Sequence, residues 1–144
     1  MPFMHADRPS IQLGLLKAIG CQRGFPVRTL HANLDFAARL GPEYYQLLAE
    51  HRGRQLGDWL FSVEAFGAAA PDPQARLLDD FVGELSHLPG SAEEVRARLL
   101  RIRERDVPAF LDSLLTALPW HQVRVVGFSS SSSRTPRRSP SRAG

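Results

Sequence analysis

The strongest constraint on this chain is the way its apolar residues run out. Residues 122–128, Gln-Val-Arg-Val-Val-Gly-Phe, have the apolar density of a strand buried on both faces of a parallel sheet and leading into a loop. After Phe128 come Ser129–Ser133 and then Arg-Thr-Pro-Arg-Arg-Ser-Pro-Ser-Arg-Ala-Gly, with no apolar side chain larger than alanine or proline. Such a stretch cannot bury enough surface to offset the entropy of ordering it, so 129–144 are expected to form a disordered Ser/Arg/Pro tail. The core must therefore be built from 1–128, one domain's worth of chain.

Charge divides at the same place. Residues 134–144 hold Arg134, Arg137, Arg138 and Arg142 and no acid, leaving fourteen basic against fifteen acidic residues in the rest, a net −1. The body carries no broad field for polyanions. The tail has no aromatic residue to stack on bases, so nucleic acid is disfavoured as a partner. Lys17 is the only lysine among 18 basic residues, a compositional habit more than a chemical signal. The single cysteine, Cys21, excludes an internal disulfide and any all-cysteine metal cluster, and it is expected as a small buried hydrophobe. No apolar run reaches the roughly 18–20 residues of a membrane span, and no secretory signal opens the chain. Cytoplasmic location is the expectation.

Local signals set the order of elements. Residues 1–4 have the composition of the end of a strand. Pro9 and Ser10 mark a helix start, and Gly24 stops that helix after Arg23. Phe25–His31, centred on Val27 and Leu30, has a short strand pattern. Asn33 is positioned to cap a helix through Leu40, and Gly41-Pro42 breaks and restarts it. Leu56, Trp59, Leu60, Val63 and Phe66 recur at helical spacing, as do Leu77, Leu78, Phe81, Val82, Leu85 and Leu88. Asp72-Pro73 pairs a cap with a first-turn proline. Ser91-Ala-Glu-Glu94 is a capping box, and Pro108 kinks or restarts the helix that follows. The predicted fold class is α/β: a partial Rossmann-like parallel sheet of about three strands, interrupted by a helical insertion over about 34–118.

Familiar catalytic signatures are missing. Neither phosphate-cradling glycine motif occurs, nor H-E-x-x-H. His5, His31, His51, His87 and His121 are scattered, none spaced as a helical ligand pair. Trp59 and Phe66 fit a core better than a stacking platform. In an open parallel sheet, ligands bind beyond the carboxyl ends of the strands. That rule singles out the His5–Ser10 loop, the His31–Asn33 turn and the loop beginning Gly127-Phe-Ser-Ser130.

The same residues carry a resemblance. Met-Pro-Phe-Met-His-Ala-Asp-Arg-Pro-Ser-Ile-Gln-Leu-Gly-Leu-Leu-Lys-Ala resembles the first loop and helix of cobalamin-binding radical SAM proteins. Pro26-Val-Arg-Thr-Leu-His-Ala-Asn-Leu-Asp-Phe-Ala37, Gly57-Asp-Trp-Leu-Phe-Ser-Val-Glu-Ala-Phe66 and Val125-Val-Gly-Phe-Ser-Ser130 are similar to RiPP maturation radical SAM proteins, which modify ribosomally made peptides. The resemblance spans about residues 1–130, and the Gly-Asp-Trp-Leu-Phe block is its most specific part. It implies a Rossmann-like cobalamin-binding domain, with a ribosomal precursor peptide as the parent enzyme's partner. By the same resemblance, Pro9, Ser10, Asn33, Ser129 and Ser130 would contact cobalamin through backbone and hydroxyl groups.

Full-length members add a barrel that binds S-adenosylmethionine and holds a [4Fe–4S] cluster on three cysteines. Cys21 stands alone, so this chain lacks the cluster ligands and offers no catalytic or metal-ligating residue. The pattern departs from the family after Ser130, where another loop and apolar helix would follow, and the D-x-H-x-x-G cobalamin motif is absent. The expectation is a truncated cobalamin-binding region, inactive alone. The alternative is a stand-alone helical protein-interaction module with no cofactor.

Overall fold

A computed structural model describes residues 5–7, 10–50, 56–80 and 82–127. The described residues form eight α-helices with no strand among them. The predicted Rossmann-like sheet is therefore not seen among them, and the described fold is all-helical. Phe25–His31 and 123–127 are non-helical, as expected for strand-like sequence, but neither segment pairs with a neighbour. Apolar, β-branched composition favours extended backbone, whereas a sheet exists only through ladder hydrogen bonds to a second strand. Without that partner, Val125 lies 86% exposed where the sequence reading expects a buried strand. The residue 1–4 strand remnant and Phe128 lie outside the described residues.

The first helix, α1 (Ile11–Gln22), begins where its cap predicts: the Ser10 hydroxyl accepts from the Leu13 amide at 3.3 Å. It ends in a Schellman turn, with the Gly24 amide donating to the Cys21 carbonyl at 3.0 Å and the Phe25 amide to Gly20 at 3.0 Å. Gly24 takes φ +82°, which glycine adopts without a Cβ penalty. A second glycine serves packing: a Cβ on Gly20 would lie 2.5 Å from Val27 Cγ2, so the returning segment needs that notch. Nothing on α1 is buried, however. Ile11 is 83% exposed, and Leu15, Leu16 and Ile19 are also open to solvent. Cys21 is exposed too, contrary to the buried role predicted for it. In a layered α/β fold a sheet would cover these residues, and the described residues form none.

The core begins at α2 (Ala32–Leu40) and is closed by Phe110. Asn33 does not cap α2; the helix starts two residues earlier than that cap would place it, with His31 at its cap position, leaving Asn33 in the first turn. Gly41-Pro42 makes the break the sequence predicts, and α3 (Pro42–Glu50) restarts with proline in its first position, where a missing N–H costs nothing. Next come α4 (Leu56–Phe66), a 3₁₀ turn at Gly67–Ala69, and the helical stretches α5 (Arg76–Asp80) and α6 (Val82–Leu85), which lie on either side of residue 81, outside the described residues.

A single helical rod closes the fold. α7 (Ala92–Arg101) opens on the predicted capping box: the Ser91 hydroxyl accepts from the Glu94 amide and the Glu94 carboxylate accepts from the Ser91 amide at 2.7 Å. It passes into a π segment, Ile102–Asp106, and on into α8 (Val107–Ala117). Pro108 offers no amide and its ring crowds the carbonyl four residues back, so the preceding turn widens to keep the helix running. The rod packs against α2 and α4, and α6 lies on α7. At the centre Phe36 meets Phe110 at 4.8 Å and Phe61 at 5.4 Å between ring centroids, with Tyr45 edge-on at 6.3 Å. Leu60, Leu99 and Val107 are fully buried beside them.

Candidate functional site

The sequence-predicted site residues do not assemble. Pro9, Ser129 and Ser130 lie outside the described residues. The Ser10 hydroxyl is occupied as the α1 cap. Asn33 sits in the first turn of α2, and no hydrogen bond among the described residues joins it to Ser10. Their proposed common position depended on strands delivering both loops to one sheet edge, and the described chain has no such edge. Among the described residues no group of three or more His, Cys, Asp or Glu side chains could hold a metal ion, and no helix is long and apolar enough to cross a membrane.

Two polar arrangements do form. The first is buried and joins the loop after α4 to the π segment. Arg103, 3% exposed, extends its guanidinium over the Trp59 ring at 4.3 Å. Its Nη1 donates to the Asp72 carbonyl at 3.0 Å, and its Nη2 donates to Ser62 Oγ at 3.1 Å and the Pro71 carbonyl at 2.9 Å. Ser62 Oγ in turn donates to the Trp59 carbonyl at 2.8 Å. Trp59 Nε1 donates to the Asp72 carboxylate at 3.1 Å, which also accepts from the amides of Arg76 at 2.8 Å and Leu77 at 3.1 Å. Asp72 thereby caps α5 from four residues upstream, and its φ of +54° is the left-handed conformation that aspartate tolerates. Burial lowers the Arg103 pKa, while the Asp72 and Glu104 charges oppose that shift; the group stays cationic. Most of the Arg103 donor capacity is thus spent on the protein's own backbone and Ser62. This network is a staple, holding an irregular loop to the rod, and its chemistry is structural.

Asp72 carries a pH consequence. Burial works to raise its pKa, but the Leu77 and Arg76 amides, the Trp59 indole and Arg103 together hold it below the ordinary 3.8. A depressed carboxyl contributes stability that is complete above its unfolded pKa and is lost as pH falls through the folded value. Chemical denaturation of the native chain is therefore expected to show stability falling as pH drops below about 4, with a shallower fall in Asp72→Asn. An identical acid profile in the variant would assign the loss to other carboxyls.

The second arrangement is open. A cleft of about 460 Å³ lies between the end of α2 and the α7–π junction, lined by Arg39, Leu40, Ala97, Arg98, Arg101, Ile102 and Asp106. Arg39 is anchored to α8, its Nη2 donating to the Ala109 carbonyl at 3.4 Å and Ser113 Oγ at 3.2 Å. Arg98 lies over the Tyr44 ring, its Cζ 3.4 Å from the centroid, and donates to the Leu40 carbonyl at 3.3 Å. Arg101 is exposed. Sequence reasoning missed these residues because an arginine-rich composition hides a cluster whose members are far apart along the chain. The i, i+3 spacing of Arg98 and Arg101 on one helix face was the available signal.

Comparison with known proteins adds no kinship: no family model matches the chain, and neither does any curated protein or solved structure.

Proposed function

We propose that the chain is a non-catalytic helical protein-interaction module, related to the amino-terminal region of RiPP maturation radical SAM proteins and working in the cytoplasm. The observation that carries this reading is the contrast between α1 and the rest. Residues from Phe36 to Phe110 close a core of their own, whereas α1 buries nothing and presents Ile11, Leu15, Leu16 and Ile19 to solvent. Other large apolar residues are exposed elsewhere along the chain, but four on one twelve-residue helix make a contact surface for protein. The exposed thiol of Cys21 suits a reducing compartment. The resemblance implies a ribosomal precursor peptide as the parent enzyme's partner; for this module the proposed partner is the radical SAM polypeptide that would act on that peptide.

Light scattering on a mixture of the chain with that polypeptide tests the reading. A complex is expected, and Leu15→Asp with Ile19→Asp should abolish it. Because neither side chain is buried, the double variant should keep the parent's urea midpoint. Failure to form a complex, or a complex indifferent to both substitutions, would sink the proposal. Titration with aquocobalamin separates the alternative: a saturable change in its absorption would return the chain to the cofactor-binding role that the resemblance implies.

A further inference from the structure

We propose that the arginine-lined cleft is a binding site for a phosphate monoester carried on a small apolar body. This inference is independent of the interaction surface on α1. Outside the tail the chain is nearly neutral, yet three guanidiniums, those of Arg39, Arg98 and Arg101, line one cleft with a single carboxylate, Asp106. Their sum is two positive charges, the match for the nearly doubly charged monoester at neutral pH. Two of the three are already in place: Arg98 is clamped between the Tyr44 ring and the Leu40 carbonyl, and Arg39 is held by Ala109 and Ser113. Among the described residues each commits only Nη2, which leaves N–H groups free for the planar, paired donation that arginine offers to phosphate oxygens.

Arg101 has no hydrogen bond or ion pair among the described residues. Helix capping does not account for it, since α7 runs on into the π segment and offers no free carbonyl terminus there. The lining also has apolar members, with Leu40 and Ile102 buried and Ala97 exposed. A volume of about 460 Å³ falls in the range of small-ligand pockets. Guanidiniums, apolar lining and net charge together favour a phosphorylated small molecule over a free carboxylate, which would leave one positive charge unmatched.

Calorimetric titration of the full chain with phenyl phosphate and, separately, inorganic phosphate tests the site. Phenyl phosphate is expected to bind saturably and more tightly than inorganic phosphate. Arg101→Ala should weaken it about tenfold, the loss of one or two charge-assisted hydrogen bonds. Arg105→Ala, an exposed arginine on the same rod outside the cleft lining, should leave affinity unchanged. Asp106→Asn should tighten binding severalfold by removing the like charge. Arg101 and Arg105 are exposed, so neither change threatens the core. Equal weakening by the two alanine variants would overturn the proposal as general electrostatic attraction. Equal affinity for the two ligands would overturn it by removing the role of the apolar lining.

Discussion

Replacing Arg103 with alanine is expected to destabilise the folded unit by about 3–5 kcal/mol, the scale for removing one member of a buried charged network. The substitution would strip the Pro71 and Asp72 carbonyls and Ser62 Oγ of their shared donor and leave a void against the Trp59 ring. Unsatisfied buried acceptors and the void act together, and both lie at the contact between the rod and the loop that follows α4. Lysine should not rescue it. A single ammonium cannot reach three acceptors spread along the planar fork, nor lie flat on the indole. Equilibrium urea unfolding of the native chain, Arg103→Ala and Arg103→Lys measures both effects. Full recovery in the lysine variant would show that charge alone matters at this position and that the fork geometry does not.

Phe36→Ala is expected to produce a loss of similar size, about 3–5 kcal/mol, by a different route. Phe36 is 2% exposed and touches the rings of Phe110, Phe61 and Tyr45, which come from α8, α4 and α3. No polar group is orphaned by the change, so the cost is purely a cavity plus lost edge-to-face contacts. Because one ring bridges four helices, the surrounding side chains cannot collapse into the space without moving elements apart. Leucine at 36 should recover a substantial part of the loss by refilling volume, where it would recover none if ring geometry were decisive. The urea midpoints of the two variants, taken with unchanged slopes, decide between packing and aromatic orientation.

What the sequence made legible divides along a physical line. Signals that act within four residues were readable: the Ser10 cap and Gly24 stop of α1, the Gly41-Pro42 break, the Ser91–Glu94 capping box and the disturbance at Pro108 all appear in the structure. Signals that need a distant partner were not. Phe25–His31 and Val123–Phe128 have strand composition, but composition does not supply the second strand, and reading them as a sheet predicted burial for Val125 and Val126, which are exposed. The proposed contacts of Ser10 and Asn33 fell with that sheet, because its edge was the only reason to bring them together. Trp59 was readable as core; its pairing with Arg103 and Asp72 was not, since the three are separated by loops of unspecified path. The arginine cleft was hidden for the same reason, its members joining α2 to a rod some sixty residues later.

The π segment separates the length of the rod from its rotational phase. The π segment takes one residue more per turn than the α-helix on either side of it, with Ile102 and Arg103 buried at its start and Val107 fully buried just beyond. That residue is accommodated as a bulge, and the inward face continues through Val107 and Phe110. Removing a single residue between 102 and 106 would therefore straighten the rod into plain α-helix and still deliver Val107 and Phe110 to the interior. Removing one anywhere else along 92–117 would turn every later side chain by about 100°. The rod thus has one place where its gene can lose a codon and keep its core in register, at the cost of moving Arg103.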